Sequence, residues 1–367
     1  MKHGSLYLNW YVRVPKVKFD LRSSGLSHFK YEVALGEVDF SLNYAHGNPD
    51  AVKLLAQRYG TRPENVFVSS EGASGQNARI IRCLTEKNAK NNEAVVEYPT
   101  YEPLLRLVQE YFPHVKRLRR EESESYVLDA DKLRKVVSDK TGLLVLTNPH
   151  APSGAISDAN ELKEVMDIAN MHGFYVLCDE IYAEFGRESV PTLFSIDPKL
   201  GIVTTSFSKA YGLSGLRFGI ALAEETLVDE FYQDVLGTVG TSSNLVEMIA
   251  VKLLIEGSEA LERYKQKWML LKTEAQKRLD EKGLEYFPNK AGITFWLKLP
   301  VKDTYKWVNE TAITRYSLAS VPGAFFLFKD DYELVESSMV RLGLGSINPE
   351  KPNLDEAFEI LEKALSK

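Results

Sequence analysis

A lysine with distinctive neighbours lies in a glycine-rich segment of the chain, residues 206–219. Two hydroxyl residues, Ser206 and Ser208, come just before Lys209, and Arg217 follows eight residues after it. A lysine amine can condense with an aldehyde to give an imine that exchanges with a substrate amine. Hydroxyl and guanidinium groups are suited to holding a phosphate. Because a lone lysine in such a loop is usually a solvated charge, this interpretation depends on the rest of the chain.

The same segment follows the pattern Ser-x-Ser-Lys-x-x-Gly-x-x-Gly-x-Arg-x-Gly. This pattern resembles the Schiff-base signature of the fold-type-I pyridoxal-phosphate enzymes, in particular the class I and II aminotransferases. The resemblance implies that Lys209 binds pyridoxal 5'-phosphate as a Schiff base and then serves as general base and acid. It also implies that Ser206 and Arg217 bind the cofactor's phosphate, with Ser208 as a helper.

A second candidate group follows a short apolar run at residues 174–177. Asp179 lies 30 residues before Lys209, and Tyr182 comes three residues after Asp179. A carboxylate at the end of a strand can keep a pyridine nitrogen protonated, which makes the ring an electron sink. A tyrosine hydroxyl can donate a hydrogen bond to the ring's phenolic oxygen. The resemblance assigns these two roles to Asp179 and Tyr182, which together with Lys209 form the predicted catalytic group.

Two further candidate segments follow predicted strands. The turn at residues 69–76 is rich in small residues, which let backbone N–H groups approach an anion at a helix N-terminus. By resemblance, Ala73, Ser74 and Gly75 bind the phosphate there. Tyr101 follows the next predicted strand, and the resemblance implies that its ring stacks on the cofactor.

The resemblance also implies contacts with the substrate and with a second subunit. Arg341, in the short run Met-Val-Arg-Leu-Gly-Leu, corresponds to the arginine that grips the substrate α-carboxylate, a role that suits a planar guanidinium. Tyr44, which precedes the first predicted helix of the larger domain, corresponds to a tyrosine that reaches the phosphate of the partner subunit's cofactor. The chain is therefore expected to form a homodimer with a shared active site.

The N-terminal strand that contacts the substrate is placed near Ser24 and Gly25, which makes Gly25 a candidate substrate-binding residue. This placement leaves residues 27–35 for a helix, with Gly36 as its terminator. Aromatic residues nearer the N-terminus, among them Tyr7, either line the same pocket or pack in the core.

One position departs from the resemblance. The family pattern Asn-Pro-x-Asn-Pro-Thr-Gly is here Asn-Pro-His-Ala-Pro-Ser-Gly, so Ala151 stands where an asparagine donates to the cofactor's phenolic oxygen. Losing one donor leaves Tyr182 as the main protein donor and should give the Schiff base a pKa different from that of its relatives. Asn148 and His150 are near enough in sequence to supply a replacement donor.

Strands and helices alternate in the part of the chain that carries most of these residues. Short apolar runs predict strands at residues 66–68, 94–96, 143–146, 174–177, 202–203 and 218–222. Helical patterns lie between several of them, including residues 160–171 after Asp158, and a further helix, opened by Asn48 and ended by Gly60, precedes the first strand. Buried strands separated by amphipathic helices predict an α/β fold, a mostly parallel sheet with helices on both faces.

The pattern changes after about residue 240. A long helical stretch, interrupted near Gly257, is followed by a strand at residues 293–299 and by helices near residues 304–310 and 354–365. These elements predict a smaller α+β domain. We assign residues 31–255 to a large cofactor-binding domain, and residues 1–30 together with residues 256–367 to the small domain.

The composition argues against several other classes of protein. The formal net charge of −6 provides no electrostatic footprint for nucleic acid. The two cysteines do not imply a disulfide framework, and a reducing compartment fits them. The N-terminus shows no apolar stretch of the length that a signal peptide or a membrane span needs. We therefore expect a cytoplasmic protein that binds no membrane, nucleic acid or metal.

Three functions are compatible with these residues. The first is transamination, in which an amino acid passes its α-amino group to the cofactor and then to a 2-oxo acid by ping-pong kinetics. The second is other chemistry at the α-carbon with the same cofactor, such as β-elimination by a lyase. The third is a regulatory domain, which lacks support because the chain has no spare DNA-binding module and retains Lys209. A dicarboxylic or an aromatic amino acid, with 2-oxoglutarate, is the first substrate pair to test.

Overall fold

Strands and helices cover most of the chain. The computed structural model describes residues 4–87, 91–287, 289–328 and 333–366. The strands are β1 (Phe19–Leu21), β2 (Val66–Ser69), β3 (Glu93–Tyr98), β4 (His114–Arg119), β5 (Thr141–Thr147), β6 (Tyr175–Asp179), β7 (Gly201–Thr205), β8 (Gly219–Leu222), β9 (Glu285–Phe287), β10 (Thr294–Lys298), β11 (Leu318–Pro322) and β12 (Met339–Gly343).

The helices alternate with these strands through the first two thirds of the chain. They are α1 (Leu6–Arg13), α2 (Pro49–Tyr59), α3 (Gly72–Lys87), α4 (Glu102–Tyr111), α5 (Ala130–Val136), α6 (Ala159–His172), α7 (Leu193–Ile196), α8 (Glu225–Thr238), α9 (Asn244–Ile255), α10 (Ser258–Glu281), α11 (Thr304–Lys306), α12 (Ile313–Tyr316) and α13 (Leu354–Leu365). A π-helical stretch, Trp307–Ala312, joins α11 to α12. Within the described residues, no helix is both long and apolar enough to cross a membrane.

The larger sheet has seven strands in the order β2-β8-β7-β6-β5-β3-β4. Only β8 runs antiparallel to its neighbours, so the carboxyl ends of the other six strands meet at one edge. Alternate residues of β5 face two different cores. Leu144 and Leu146 belong to a core cluster with Leu162 of α6, whereas Leu143 and Val145 belong to another with Ile80 of α3. The sheet is therefore covered by helices on both faces, as the α/β prediction required.

Local signals set the ends of the helices as the sequence predicted. The side chain of Asn48 accepts hydrogen bonds from the first turn of α2, and Gly60 ends that helix in the left-handed conformation. Asp158 forms a capping box with Glu161 at the start of α6. These caps satisfy backbone groups that a helix leaves without partners at its ends.

A second sheet has five strands in the order β1-β11-β12-β10-β9. Its outer strand β1 comes from the N-terminal segment and runs parallel to β11, while the other four strands come from the last third of the chain. The central strand β12 is buried along its whole length. This sheet therefore fixes two distant parts of the chain, residues around Ser24 and Arg341, next to each other.

The helix expected at residues 27–35 is wrong, because these residues, all of them described, form no regular secondary structure. Apolar and polar residues alternate here with a period of two, which is an extended pattern. The rings of Phe29 and Tyr31 consequently stack, 6.2 Å apart, and Tyr31 donates to the backbone of Glu256. His28 has a φ of 66°, which interrupts a helix. Gly36, expected to terminate that helix, therefore ends none.

Candidate active site

A cavity opens where the carboxyl ends of the parallel strands meet the second sheet. It encloses about 780 Å³ of space that is continuous with solvent. Its walls are formed by Tyr7, Ser24, Ala73, Ser74, Tyr101, Leu104, Thr147, Ala151, Asp179, Ile181, Tyr182, Ser206, Ser208, Lys209, Ser214, Arg217 and Arg341. The structure thus brings together ten of the thirteen residues predicted to form the site; Gly25, Tyr44 and Gly75 do not line the cavity.

Lys209 lies in the turn after β7 and points into this cavity. Its Nζ donates to Ser24 Oγ at 3.2 Å. Desolvation by burial lowers the pKa of Lys209 below its ordinary value, which increases the fraction of the nucleophilic, neutral amine. Gly25 packs against the lysine stem from behind. A Cβ at position 25 would lie 2.9 Å from Lys209 Cδ, so this contact requires a glycine.

Asp179 ends β6 and faces the same cavity from a buried position. Asn77 of α3 donates to its Oδ2 at 2.8 Å, and the backbone N–H of Ile181 donates to its Oδ1 at 3.0 Å. Burial raises the pKa of Asp179 to about 6, although these hydrogen bonds and the nearby Lys209 act in the opposite direction. A buried carboxyl of this kind gains most from a cationic partner, such as a protonated ring nitrogen.

Groups suited to an anion line another part of the cavity. Ala73 and Ser74 lie in the first turn of α3, where free backbone N–H groups and the helix dipole attract negative charge. Ser206 and Arg217, which follow β7 and precede β8, add a hydroxyl and a guanidinium. Gly72 makes this approach possible, because a Cβ there would lie 2.4 Å from Arg217 Nη2.

Gly75 is predicted with its two neighbours to bind phosphate, and that role stays a prediction. It lies inside α3 and does not line the cavity. A Cβ at position 75 would lie 2.3 Å from Glu71 Cβ, so its glycine serves helix packing.

Aromatic and small side chains form other walls of the cavity. Tyr101 precedes α4, and Tyr182 follows β6 by three residues, so each enters the cavity from the end of a strand. Desolvation by burial raises the pKa of Tyr101 well above its usual range, so it stays a neutral phenol. Ala151 lines the cavity with only a methyl group.

The structure shows that neither neighbour replaces a donor at position 151. Asn148 Nδ2 donates to Ser157 O at 3.2 Å, and its Oδ1 accepts from Ser157 N at 3.0 Å. His150 Nδ1 and Nε2 are hydrogen-bonded to Ser153 Oγ and Pro99 O. Both side chains are buried, and neither lines the cavity. Of the two donors that the family pattern suggests for this wall, only Tyr182 is present.

Arg341 enters from β12 and is buried. Its Nη2 donates to Tyr7 Oη at 2.9 Å and to Arg22 O at 3.1 Å. Its Nε has no partner within the part of the chain that the structure describes. Arg341 lines the cavity, and a buried guanidinium there suits a carboxylate, because a buried cation without a counter-charge is costly.

Tyr44 lies outside this cavity, in the loop before α2. The loop is fixed by Asn48, whose Nδ2 donates to Asn244 Oδ1 of α9 at 2.8 Å. The role expected for Tyr44 concerns the cavity of a second copy of the chain, so it remains a prediction.

Sequence reasoning missed two of the side chains that the fold brings to the site, and it left the position of a third, Tyr7, open between the pocket and the core. Asn77 supports Asp179, Thr147 accepts from the backbone of Ala151 at 2.8 Å, and Tyr7 reaches the cavity from the N-terminal helix. Thr147 ends a predicted strand, so strand-end position is a usable signal for it. For Asn77 and Tyr7 the sequence offers no such signal, because their partners lie 102 and 334 residues away.

The arrangement defines the kind of ligand that would fit. One part of the cavity suits a phosphate, Asp179 suits a protonated ring nitrogen, and Lys209 suits a carbonyl carbon between them. The guanidinium of Arg341, which lines the same cavity, suits a carboxylate. The residues present therefore fit a phosphorylated pyridine aldehyde together with a carboxylate-bearing amine.

Comparisons with known proteins agree with this chemistry. Residues 33–359 match the family model described as "Aminotransferase class I and II". An aromatic-amino-acid aminotransferase of Thermococcus litoralis is 27% identical over 290 residues, which are 73% of each chain. An aspartate aminotransferase of Pyrococcus abyssi is 25% identical over 240 residues, 60% of this chain and 61% of that protein.

Solved structures show the same fold. An aminotransferase of Streptococcus suis, described as dependent on pyridoxal phosphate, superposes with a TM-score of 0.83 at 22% identity, over 100% of this chain and 98% of that one. A double mutant of the aspartate aminotransferase of Thermus thermophilus gives a TM-score of 0.81 at 18% identity, over 99% and 97% of the two chains. At these identities the likeness establishes the architecture alone.

Proposed function

This chain belongs to the family of class I and II aminotransferases, and we propose that it transfers the α-amino group of an amino acid to a 2-oxo acid. The observation that carries the proposal is the position of Lys209 in a cavity shared with Asp179, Arg217 and Arg341. Each of these four groups matches a different part of the cofactor and substrate. The family depends on pyridoxal 5'-phosphate, and the cavity has the donors to hold it.

The proposed cofactor contacts follow from the cavity walls. Lys209 would hold the cofactor covalently through Nζ, and Asp179 would keep its ring nitrogen protonated. Tyr101 would cover a ring face, and Tyr182 would donate to the phenolic oxygen. The phosphate would be bound by the first turn of α3, Ser206, Ser208 and Arg217. When bound, pyridoxal phosphate supplies an electron sink for the negative charge that develops at the substrate α-carbon.

Lys209 would also move the protons of the reaction. Once a substrate amine has displaced its nitrogen, the amine of Lys209 is free, and its lowered pKa favours the basic form. It would accept the proton from the α-carbon and return it to the former aldehyde carbon. Asp179 would keep the ring nitrogen protonated throughout the reaction. Its carboxylate is held in position because Asn77 and the backbone of Ile181 donate to its two oxygens.

Arg341 would orient both substrates of a ping-pong cycle. An amino acid and a 2-oxo acid each carry a carboxylate beside the reacting carbon, so one guanidinium can serve both half-reactions. Among the described residues, the basic side chains that line the cavity are Lys209, Arg217 and Arg341. Two of these are assigned to the cofactor, which leaves Arg341 for the substrate.

A screen of half-reactions tests the proposal. The loaded protein is mixed with single amino acids, starting with phenylalanine, tyrosine, aspartate and glutamate, and with cysteine, whose thiol is a β-leaving group. Loss of the cofactor's aldehyde absorbance, with gain of the amine form and one equivalent of 2-oxo acid, is the expected result. Release of ammonia with a 2-oxo acid, without the amine form, would instead identify a β-elimination lyase. If none of the amino acids changed the absorbance of the loaded enzyme, the proposal would be contradicted.

Ala151 provides a testable feature of this site. Replacing it by asparagine would place an amide donor beside Tyr182, in the cavity, at the cofactor's phenolic oxygen. A donor there withdraws negative charge from the oxygen and weakens its hold on the neighbouring proton, so we expect the pKa read from the cofactor's absorbance to fall by about one unit. A spectral pH titration of wild type and Ala151→Asn measures it. Identical titrations would exclude a role for position 151 in tuning the cofactor.

We also propose that the chain works as a homodimer. Exposed apolar side chains occur on the loop before α2, the end of α8 and the start of α9, namely Phe40, Leu42, Leu236, Val239 and Leu245. The loop contacts both helices, through the ring of His46 on Tyr232 and through Asn48 on Asn244. Paired surfaces here would cover these groups and bring Tyr44 toward the partner's site. Sedimentation should give twice the 41.4 kDa chain mass; a stable monomer would refute both ideas.

A further inference from the structure

The N-terminal helix α1 covers one side of the cavity and places a single side chain in it. Tyr7 is the only buried residue of α1, 4% exposed, whereas Leu6, Leu8 and Val12 of the same helix are exposed. The ring of Tyr7 packs on Tyr101 at 5.8 Å and on Phe325 at 5.6 Å. Trp10 and Tyr11 of α1 are half-buried and pack on Phe325 and on Tyr7, so they help to anchor the helix, while Tyr7 is the residue of α1 that lines the cavity.

The hydroxyl of Tyr7 lies beside the proposed carboxylate site. Its oxygen accepts from Arg341 Nη2 at 2.9 Å. Within the described ranges, its own proton has no acceptor, and Tyr7 lines the cavity. A phenol that accepts from a cation is a stronger donor through its remaining O–H. The hydroxyl therefore offers a second donor next to the guanidinium of Arg341.

Polar contacts hold α1 in the position that this geometry needs. Ser5 caps the helix by accepting from Leu8 N at 2.9 Å, and its hydroxyl also donates to the buried carboxylate of Glu102. Trp10 Nε1 donates to Asn309 Oδ1 at 2.9 Å. These contacts tie α1 both to the start of α4 and to the π-helical stretch. The Tyr7 hydroxyl is therefore held in place before any ligand binds.

We propose that Tyr7 is a substrate-binding residue, whose hydroxyl donates a hydrogen bond to the same carboxylate that Arg341 holds. The inference rests on the proposed function, since it names a contact of the proposed substrate. It assigns to α1 the role of delivering this donor and closing the cavity above the carboxylate. Two donors from different elements would fix the orientation of the carboxylate more tightly than the guanidinium alone.

Tyr7→Phe tests the contact, because it removes the hydroxyl and keeps the ring that packs on Tyr101 and Phe325. Loss of one hydrogen bond to a charged group should raise KM for the amino acid about 10-fold or more. The limiting rate of the half-reaction should change less than about threefold, because the donor does not contact the reacting atoms. Tyr11→Phe is the matched control, since Tyr11 lies one turn along α1 and outside the cavity. It should leave KM unchanged.

A binding measurement separates this contact from catalysis. Calorimetry with 3-phenylpropionate and with succinate, which carry the carboxylate but no amine, should show the same loss of affinity in Tyr7→Phe. An alcohol of matching shape, 3-phenylpropan-1-ol, should bind wild type and variant alike. Equal affinity of wild type and Tyr7→Phe for both acids would overturn the inference.

A second variant tests the role of the helix. Ser5→Ala keeps the Tyr7 hydroxyl but removes the cap and the bond to Glu102, so it should raise KM by a smaller factor than Tyr7→Phe. An effect of Ser5→Ala without any effect of Tyr7→Phe would show that α1 acts only as a cover, against the inference. If wild type transfers no amino group, the proposed function fails, while the calorimetry still decides on Tyr7.

Discussion

Replacing Lys209 by alanine will lower the rate of amino transfer by about 10³- to 10⁴-fold while leaving the protein folded. The expected size reflects the loss of a general acid and base together with the loss of covalent attachment. The fold should survive because Lys209 contributes one hydrogen bond, to Ser24, and sits in a turn at the cavity wall. Removing a partly buried amine whose pKa is lowered by desolvation also removes an unfavourable burial.

Covalent attachment gives a readout that is independent of activity. Borohydride treatment of the loaded wild type should add the cofactor's mass to the peptide that contains Lys209, and Lys209→Ala should add none. Lys272→Met is a matched control. Lys272 is the lysine of α10 that donates to Asn289 O, and burial lowers its pKa to about 8, yet it lies outside the cavity. Full labelling of Lys209→Ala, or its loss in Lys272→Met, would contradict the assignment.

The sequence predicts the groups that are close together along the chain. Lys209 and Arg217 are eight residues apart in one segment, and Asp179 and Tyr182 follow one strand, so spacing alone connects them. Because the carboxyl ends of parallel strands meet at one edge of a sheet, the predicted strands also bring Asp179, Tyr101 and Lys209 to the same place. Regular strand and helix patterns are therefore enough for the central part of the site.

Contacts between distant segments cannot be predicted from these sequence patterns. Asn77 has the pattern of an ordinary helix residue, and only the packing of α3 beside β6 makes it the support of Asp179. Tyr7 has the pattern of a core aromatic until β1 and β12 share a sheet and bring α1 to Arg341. Neither pairing follows from periodicity, because periodicity describes one element at a time.

The failed helix at residues 27–35 has a different cause. The expectation rests on the space that the resemblance leaves between two motifs, although the residues themselves alternate apolar and polar. The structure follows the residues, with Phe29 packed on Tyr264 at 5.1 Å. Local pattern is the better guide here than correspondence with relatives.

Asp179→Asn will lower amino transfer by about 10²- to 10³-fold, the range found when one preorganised electrostatic group is removed from an active site. The amide has nearly the same shape and can still accept from Ile181 N, although its NH2 group then replaces the oxygen that accepts from Asn77 Nδ2. Without a carboxylate, the ring nitrogen loses the partner that keeps it protonated, and the electron sink weakens. Asp179→Glu should recover part of the rate, since it restores the charge. A rate for Asp179→Asn equal to that of wild type would contradict the assignment.

Although Asp179→Asn should lower the rate, it should increase the stability of the cofactor-free protein relative to wild type as the pH rises. The pKa of Asp179 is raised by burial from 3.8 to about 6, so the folded state binds this proton more tightly than the unfolded state. Wild type should therefore lose stability as the pH rises from about 4 to above 6, by up to about 3 kcal/mol. Asp179→Asn has no such titration, so its unfolding free energy relative to wild type should increase over that range.

Urea unfolding of both cofactor-free proteins at pH 5 and pH 7.5 measures this difference. The unfolding free energy of the variant minus that of wild type should be larger at pH 7.5 than at pH 5. This increase should disappear or reverse in the loaded proteins, where a cationic ring nitrogen compensates the Asp179 carboxylate. A difference that stays constant with pH would mean that the carboxyl is not destabilised by its burial. A gain that persists unchanged after loading would mean that Asp179 does not face the ring nitrogen. Together, the loss of rate and the gain in cofactor-free stability would show that this buried charge is kept for its function.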